Sequence, residues 1–122
     1  MPAKPKVAFY WCASCGGCEE SVVDLAEKVL DVVAAVDIVF WPCALDFKIK
    51  DLEGMPDGAI AAAFVNGAIR TDEQEHMAKL LRKKAGCIIA FGSCACHGGI
   101  PALANLTSKR KIFDRSYHRS PT

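Results

Sequence analysis

A chain of 122 residues, 52% apolar and 8% aromatic, is long enough to bury the core of one domain but not of two. A formal net charge of +1 excludes a general electrostatic pull towards nucleic acid or anionic membrane. No apolar stretch approaches the roughly 20 residues of a spanning helix, and Met1-Pro2-Ala3-Lys4-Pro5-Lys6 carries no secretory pattern. The expectation is a cytoplasmic protein that binds neither nucleic acid nor membrane.

The apolar run 7–11 predicts a first strand. Beyond it Val22, Leu25, Ala26, Val29, Leu30 and Val33 recur at helical spacing, while Glu20, Asp24, Glu27, Lys28 and Asp31 take the other side. One helix over 18–35 with a single buried face is expected. A second strand, 36–41, ends at Pro42, which cannot donate to a ladder. The charged segment 45–58 carries at most one helical turn, near 49–52.

A third strand, 59–65, is nearly all apolar, as burial on both faces requires. Asn66-Gly67 ordinarily marks a hairpin, but no alternating strand follows, so a strand-to-helix loop is expected. Thr71-Asp72-Glu73-Gln74 reads as a capping box, and the helix it opens ends in Arg82-Lys83-Lys84 with Gly86 as its stop. A fourth strand, 87–91, enters a Gly-rich loop, and 100–106 is expected to form one further helix. This alternation predicts an α/β fold, a doubly wound parallel sheet with right-handed crossovers and helices on both faces. Residues 1–106 make up the domain. The basic tail 107–122 has no pattern for packing alone and reads as a connection to something further.

Seven cysteines without an export pattern argue for metal or redox chemistry over a disulfide framework. Cys15-Gly16-Gly17-Cys18 stands where the first strand gives way to a helix. Cys94 follows the fourth strand in Gly92-Ser93-Cys94-Ala95-Cys96-His97-Gly98-Gly99. Both loops fall at the carboxyl ends of parallel strands, where open α/β sheets gather ligands. Two adjacent thiol loops point first to an iron–sulfur cluster and electron transfer. The helix amino termini would favour thiolates there. A metal-free dithiol at Cys15 and Cys18 stays open, as does a zinc site in which Cys94 and His97 imitate a knuckle.

The other cysteines read differently. Cys12 completes Cys-x-x-Cys-x-x-Cys, but a ferredoxin run does not continue at Val22 and Val23, so Cys12 is expected to be a non-ligand near the site. Cys87, among isoleucines in the fourth strand, reads as a small buried apolar residue. Cys96 is expected to point away from Cys94, and Cys43 to approach the site from the end of the second strand.

Ser14-Cys15-Gly16-Gly17-Cys18-Glu19-Glu20-Ser21 resembles the Cys-Thr-Gly-Cys-x-Glu-Ser motif of NiFe hydrogenase small subunits. Phe91-Gly92-Ser93-Cys94-Ala95 with Gly98-Gly99-Ile100-Pro101-Ala102 resembles their Gly-Thr-Cys-Ala…Gly-Gly-Ile-Pro-Ala segment. Val65-Asn66-Gly67-Ala68-Ile69 resembles their Glu-Gly-Ala-Ile stretch. The three occur in the family's order, and the flavour is the cytoplasmic, methyl-viologen-reducing type.

The resemblance implies a flavodoxin-like domain in which Cys15, Cys18 and Cys94 hold a proximal 4Fe–4S cluster. It implies a hydrogenase large subunit carrying the NiFe centre, and an electron-acceptor subunit or heterodisulfide reductase complex beyond. Glu20 matches the motif's acidic residue, near a proton route at the subunit interface. Trp11, Trp41 and Phe91 are the aromatic candidates for that interface. The family's fourth ligand lies in a later Gly-Cys-Pro segment that this chain does not contain. A fourth thiolate from beyond Thr122 is expected, with Cys43 its strongest internal rival. Complex I cluster subunits share this domain, but their adjacent cysteines differ from the Cys15-Gly16-Gly17-Cys18 spacing.

Overall fold

The computed structural model describes residues 3–121. Chain order runs β1 (Lys6–Trp11), α1 (Gly17–Val23), α2 (Val29–Ala35), β2 (Asp37–Phe40), α3 (Ile49–Glu53) and β3 (Ile60–Asn66). It continues through α4 (Asp72–Lys84), β4 (Ala85–Phe91), α5 (Ser93–His97) and α6 (Lys109–Tyr117). The strands form one parallel sheet in the order β2-β1-β3-β4. From β1 the chain steps first to one side and then, through β3 and β4, to the other. That is the doubly wound arrangement the alternation predicted, with β1 and β3 flanking its switch point.

Strand alternation sends residues to two faces, and each face has its own apolar cluster. On one, Ala8, Ala63 and Val65 pack beneath Leu52 of α3 and Met77 and Leu81 of α4. On the other, Val7, Phe9 and Trp41 pack with Val22 of α1 and Phe64 of β3. Phe9 stacks on Trp41 with ring centroids 4.5 Å apart and on Phe64 at 5.0 Å. Burying a side chain the size of Leu81 or Ile60 contributes about 1.5–3 kcal/mol, so these clusters dominate the fold's stability.

α4 begins as its sequence dictates. Thr71 Oγ1 accepts from Gln74 N at 3.2 Å, and Gln74 Oε1 accepts from Thr71 N at 3.1 Å. At its far end the buried Lys84 donates to Met55 O at 2.6 Å and Asp57 Oδ1 at 3.0 Å, tying α4 to the approach to β3.

Three expectations need correction. The helix over 18–35 is broken into α1, a 3-10 turn at Ala26–Lys28 and α2, because Ala26 adopts a left-handed φ of 51°. That conformation costs about 1–2 kcal/mol and has no signature in apolar spacing. In consequence Leu25, Leu30 and Val33 are exposed, while Val22, Val29 and Val32 turn inward. Cys87 is exposed, because β4 is the edge strand of the described sheet. The segment 100–106 forms 3-10 turns (Pro101–Leu106) instead of an α-helix. The tail beyond it carries α6, capped by Ser108 Oγ accepting from Lys111 N at 3.3 Å, with Phe113 and Tyr117 stacked along its exposed side.

Candidate metal centre

The register aligns Trp11, Asn66 and Phe91 across β1, β3 and β4, so three strands end on one line. Beyond that line lie the Cys12–Cys18 loop, Gly67-Ala68 and the Gly92–Cys94 turn. The first two are stitched together. Cys12 N donates to Asn66 O at 2.7 Å, and Ala13 and Ala68 exchange two hydrogen bonds of 2.9 Å each. Gly67, with φ +94°, permits this approach: a Cβ there would stand 2.8 Å from the Cys12 carbonyl carbon.

The third loop closes on the first at Gly92. Its φ is +90°, and a Cβ there would overlap Cys18 Sγ. The end of β4 therefore lies directly on the Cys18 sulfur, with Cys94 two residues further on. Cys18 and Cys94 are half-buried and Cys15 is exposed. Among the described residues no three His, Cys, Asp or Glu side chains converge as a single metal ion requires. A multi-iron cluster asks for a different layout, since each thiolate binds its own iron. Cys18 against the side-chain-free Gly92, with Cys94 two residues further along the chain, offers thiolates of the kind such a group takes.

Two polar groups within this site lack a partner. Gly16 N donates to Ser14 Oγ at 3.3 Å, and Ser14 Oγ donates to Asn66 Oδ1 at 3.0 Å. Asn66 is only 1% exposed, yet its Nδ2 has no acceptor. Glu19, the residue after Cys18, is 2% exposed; Trp41 Nε1 donates to its Oε2, and its Oε1 has no donor. An orphaned buried polar atom is unusual enough to need an explanation.

Glu19 also acts on its neighbours. Desolvation, then the Glu19 carboxylate, pushes the Cys43 thiol up. Burial first and Glu19 second push up Cys12, which lies in the core. Cys96 turns aside, its Sγ 3.4 Å from Ala90 O. Glu20 is exposed. The structure thus brings the turn that precedes Cys94 onto Cys18 and leaves Cys15 and Glu20 exposed.

Sequence reasoning passed over Glu19 and Asn66, although both had a signal. Glu19 is three residues before the inward-facing Val22, and Asn66 two residues after the inward-facing Phe64, so each shares its neighbour's face. The helix dipole counts for less than expected, since α1 has seven residues and α5 five. Of the aromatic candidates, Trp41 is core, and Phe91 packs edge-on against Phe9 and Phe64. Only Trp11, 40% exposed with Nε1 donating to Ser14 O at 3.2 Å, faces outward. A cavity of about 670 Å³, lined by Arg70, Lys109, Phe113 and Tyr117 among others, contains no cysteine.

Residues 15–120 match the family described as NADH ubiquinone oxidoreductase, 20 Kd subunit. The chain belongs to this family. Within it, the chain is 44% identical over 118 residues to the iron-sulfur subunit of the F420-non-reducing hydrogenase of Archaeoglobus profundus, covering 96% of this chain and 37% of that protein. It is 35% identical to the corresponding F420-non-reducing hydrogenase subunit of Methanothermobacter marburgensis, covering 100% of this chain and 38% of the relative. Against the delta subunit of the NAD-reducing hydrogenase HoxS of Cupriavidus necator the figures are 28%, 98% and 54%.

The resemblance to hydrogenase small subunits therefore holds, and this member of the 20 Kd subunit family spans less than two fifths of the length of these two F420-non-reducing relatives. A crystal structure of NAD+-reducing [NiFe]-hydrogenase in the H2-reduced state has the same fold, with a TM-score of 0.80 at 24% identity over 97% of this chain and 62% of that one.

Proposed function

We propose that this chain is the cluster-bearing, electron-transfer part of a NiFe hydrogenase-type oxidoreductase, holding a proximal 4Fe–4S cluster with Cys15, Cys18 and Cys94. The observation that carries this reading is the closure of Gly92 on the Cys18 sulfur, at the ligand-gathering end of the sheet. The hydrogenase names of its relatives support it. When bound, the cluster supplies one-electron transfer, and H2 chemistry belongs to a NiFe centre on a partner large subunit.

This chain's own residues bind and orient. Gly67 and Gly92 let three loops meet, Ser14 holds the Cys15 turn to Asn66, and Glu19 anchors α1 to Trp41. Trp11, Ile69, Ile100 and Leu103 leave apolar surface exposed beside these loops, suited to the large subunit. A fourth thiolate from beyond Thr122 is part of this reading, as the resemblance to hydrogenase small subunits implies, with Cys43 its internal rival. Electrons pass on to an acceptor subunit or heterodisulfide reductase complex, in the cytoplasm of an anaerobe. No helix among the described residues is long and apolar enough to cross a membrane.

The matched family also supports a second reading, a complex I-like cluster subunit with a partner that does not act on H2. Anaerobically purified complex separates the two. Iron and acid-labile sulfide with H2-dependent viologen reduction support the hydrogenase reading, and the same cluster without H2 activity supports the second. Active complex free of iron would overturn both.

A further inference from the structure

Asn66 occupies the middle of the candidate site. Its strand, β3, lies between β1, which leads to Cys15 and Cys18, and β4, which leads to Cys94. Its side chain shares the face of Phe64, on which α1 also packs. The hydrogen bonds around it run from Gly16 to Ser14 to Asn66. Gly16 N–H occupies a lone pair of Ser14 Oγ, and the Ser14 hydroxyl proton goes to Asn66 Oδ1. The amide NH2 is thereby left over, 1% exposed and without an acceptor. A donor held away from water in this way is destabilising unless something accepts from it. Thiolates and sulfides are acceptors, and they are what a cluster at this site would present.

We propose that Asn66 Nδ2 donates a hydrogen bond to a sulfur of the cluster or of a ligating cysteine, and so sets its reduction potential. This inference rests on the cluster reading above. Reduction adds negative charge to the sulfurs, so a donor aimed at them favours the reduced form and raises the potential. Asn66 is then a positioning and tuning residue, with Ser14 as the group that fixes the amide's orientation.

The test is an EPR-monitored redox titration of the intact complex, wild type against Asn66→Asp and Asn66→Ala, with iron and sulfide measured on each. Both variants remove the donor, and Asp keeps the shape. With iron content unchanged, the reduced-to-oxidised ratio at fixed ambient potential should fall about tenfold, a midpoint lower by about 59 mV for a one-electron couple. Unchanged midpoints in iron-loaded variants would overturn the inference while leaving the cluster reading intact. A wild-type complex without iron would instead overturn the cluster reading. Where neither variant assembles, pulsed EPR on wild-type complex labelled with 15N-asparagine decides: a weak hyperfine coupling to an asparagine side-chain nitrogen is expected, and its absence counts against the inference.

Discussion

Trp41 Nε1 donates to Glu19 Oε2 at 3.2 Å, joining the exit of β2 to α1 one residue beyond Cys18. Both partners are buried, at 4% and 2% exposure. The bond fixes the helix that carries the second cysteine against the sheet. Removing the donor by Trp41→Phe takes the indole hydrogen bond from Oε2 of a buried carboxylate. Such a loss costs about 1–3 kcal/mol, and urea denaturation of the variant should show it.

The same carboxylate governs a nearby thiol. Glu19 contributes to holding the Cys43 pKa above its ordinary value, after desolvation. Glu19→Gln removes the charge and should move the Cys43 pKa down. At a fixed mildly alkaline pH, Cys43 should then alkylate faster than in wild type, since the thiolate is the nucleophile. Equal rate–pH profiles would show that the carboxylate does not act on this thiol.

Gly92 and Gly58 offer a matched comparison. Both have positive φ, +90° and +75°, but an added Cβ meets Cys18 Sγ at Gly92 and nothing within 4 Å at Gly58. Gly58→Ala should cost only the backbone strain, about 1 kcal/mol. Gly92→Ala should cost more and also reduce the iron content of the complex, because the two cysteine loops are forced apart. Wild-type iron in Gly92→Ala would count against the proposed cluster position.

Cysteine substitutions separate ligands from bystanders. Serine at Cys15, Cys18 or Cys94 should lower iron content and bleach the cluster's visible absorbance. Cys43→Ser should leave both nearly unchanged, and loss of an iron in that variant would mark Cys43 as the fourth ligand. Cys12→Ser places a hydroxyl in the core, where Cys12 is 5% exposed. It should destabilise by about 1–3 kcal/mol while iron stays at the wild-type level.

Asp57 supplies a pH dependence. The hydrogen bond from Lys84 holds its carboxyl below the usual value, with Lys83 adding to the effect. A lowered folded pKa stabilises above the unfolded value of about 3.9, and the contribution is lost as pH falls through the folded pKa. Wild type should therefore exceed Asp57→Asn in denaturation midpoint near neutrality, with the gap closing below about pH 4. A gap that stayed constant with pH would show that the pair is not charge-dependent.

Features under local chemical control were legible from the amino acids alone. The Thr71–Gln74 capping box, the apolar strand runs and the Cys-x-x-Cys placement each depend on residues close together in the chain, and so the doubly wound sheet and its thiol-bearing end could be read in advance. Where the helix after Cys18 breaks is a tertiary matter, because a left-handed Ala26 leaves no trace in apolar spacing. So is the choice of which acidic residue is buried. Glu19 and Glu20 are adjacent and alike in type, and the choice between them depends on Trp41, which is 22 positions away in sequence. Asn66 shows the same division. Its place at the end of a strand could be read directly, but its unpaired Nδ2 exists only because Ser14, 52 positions earlier, returns across the sheet to occupy the other half of the amide.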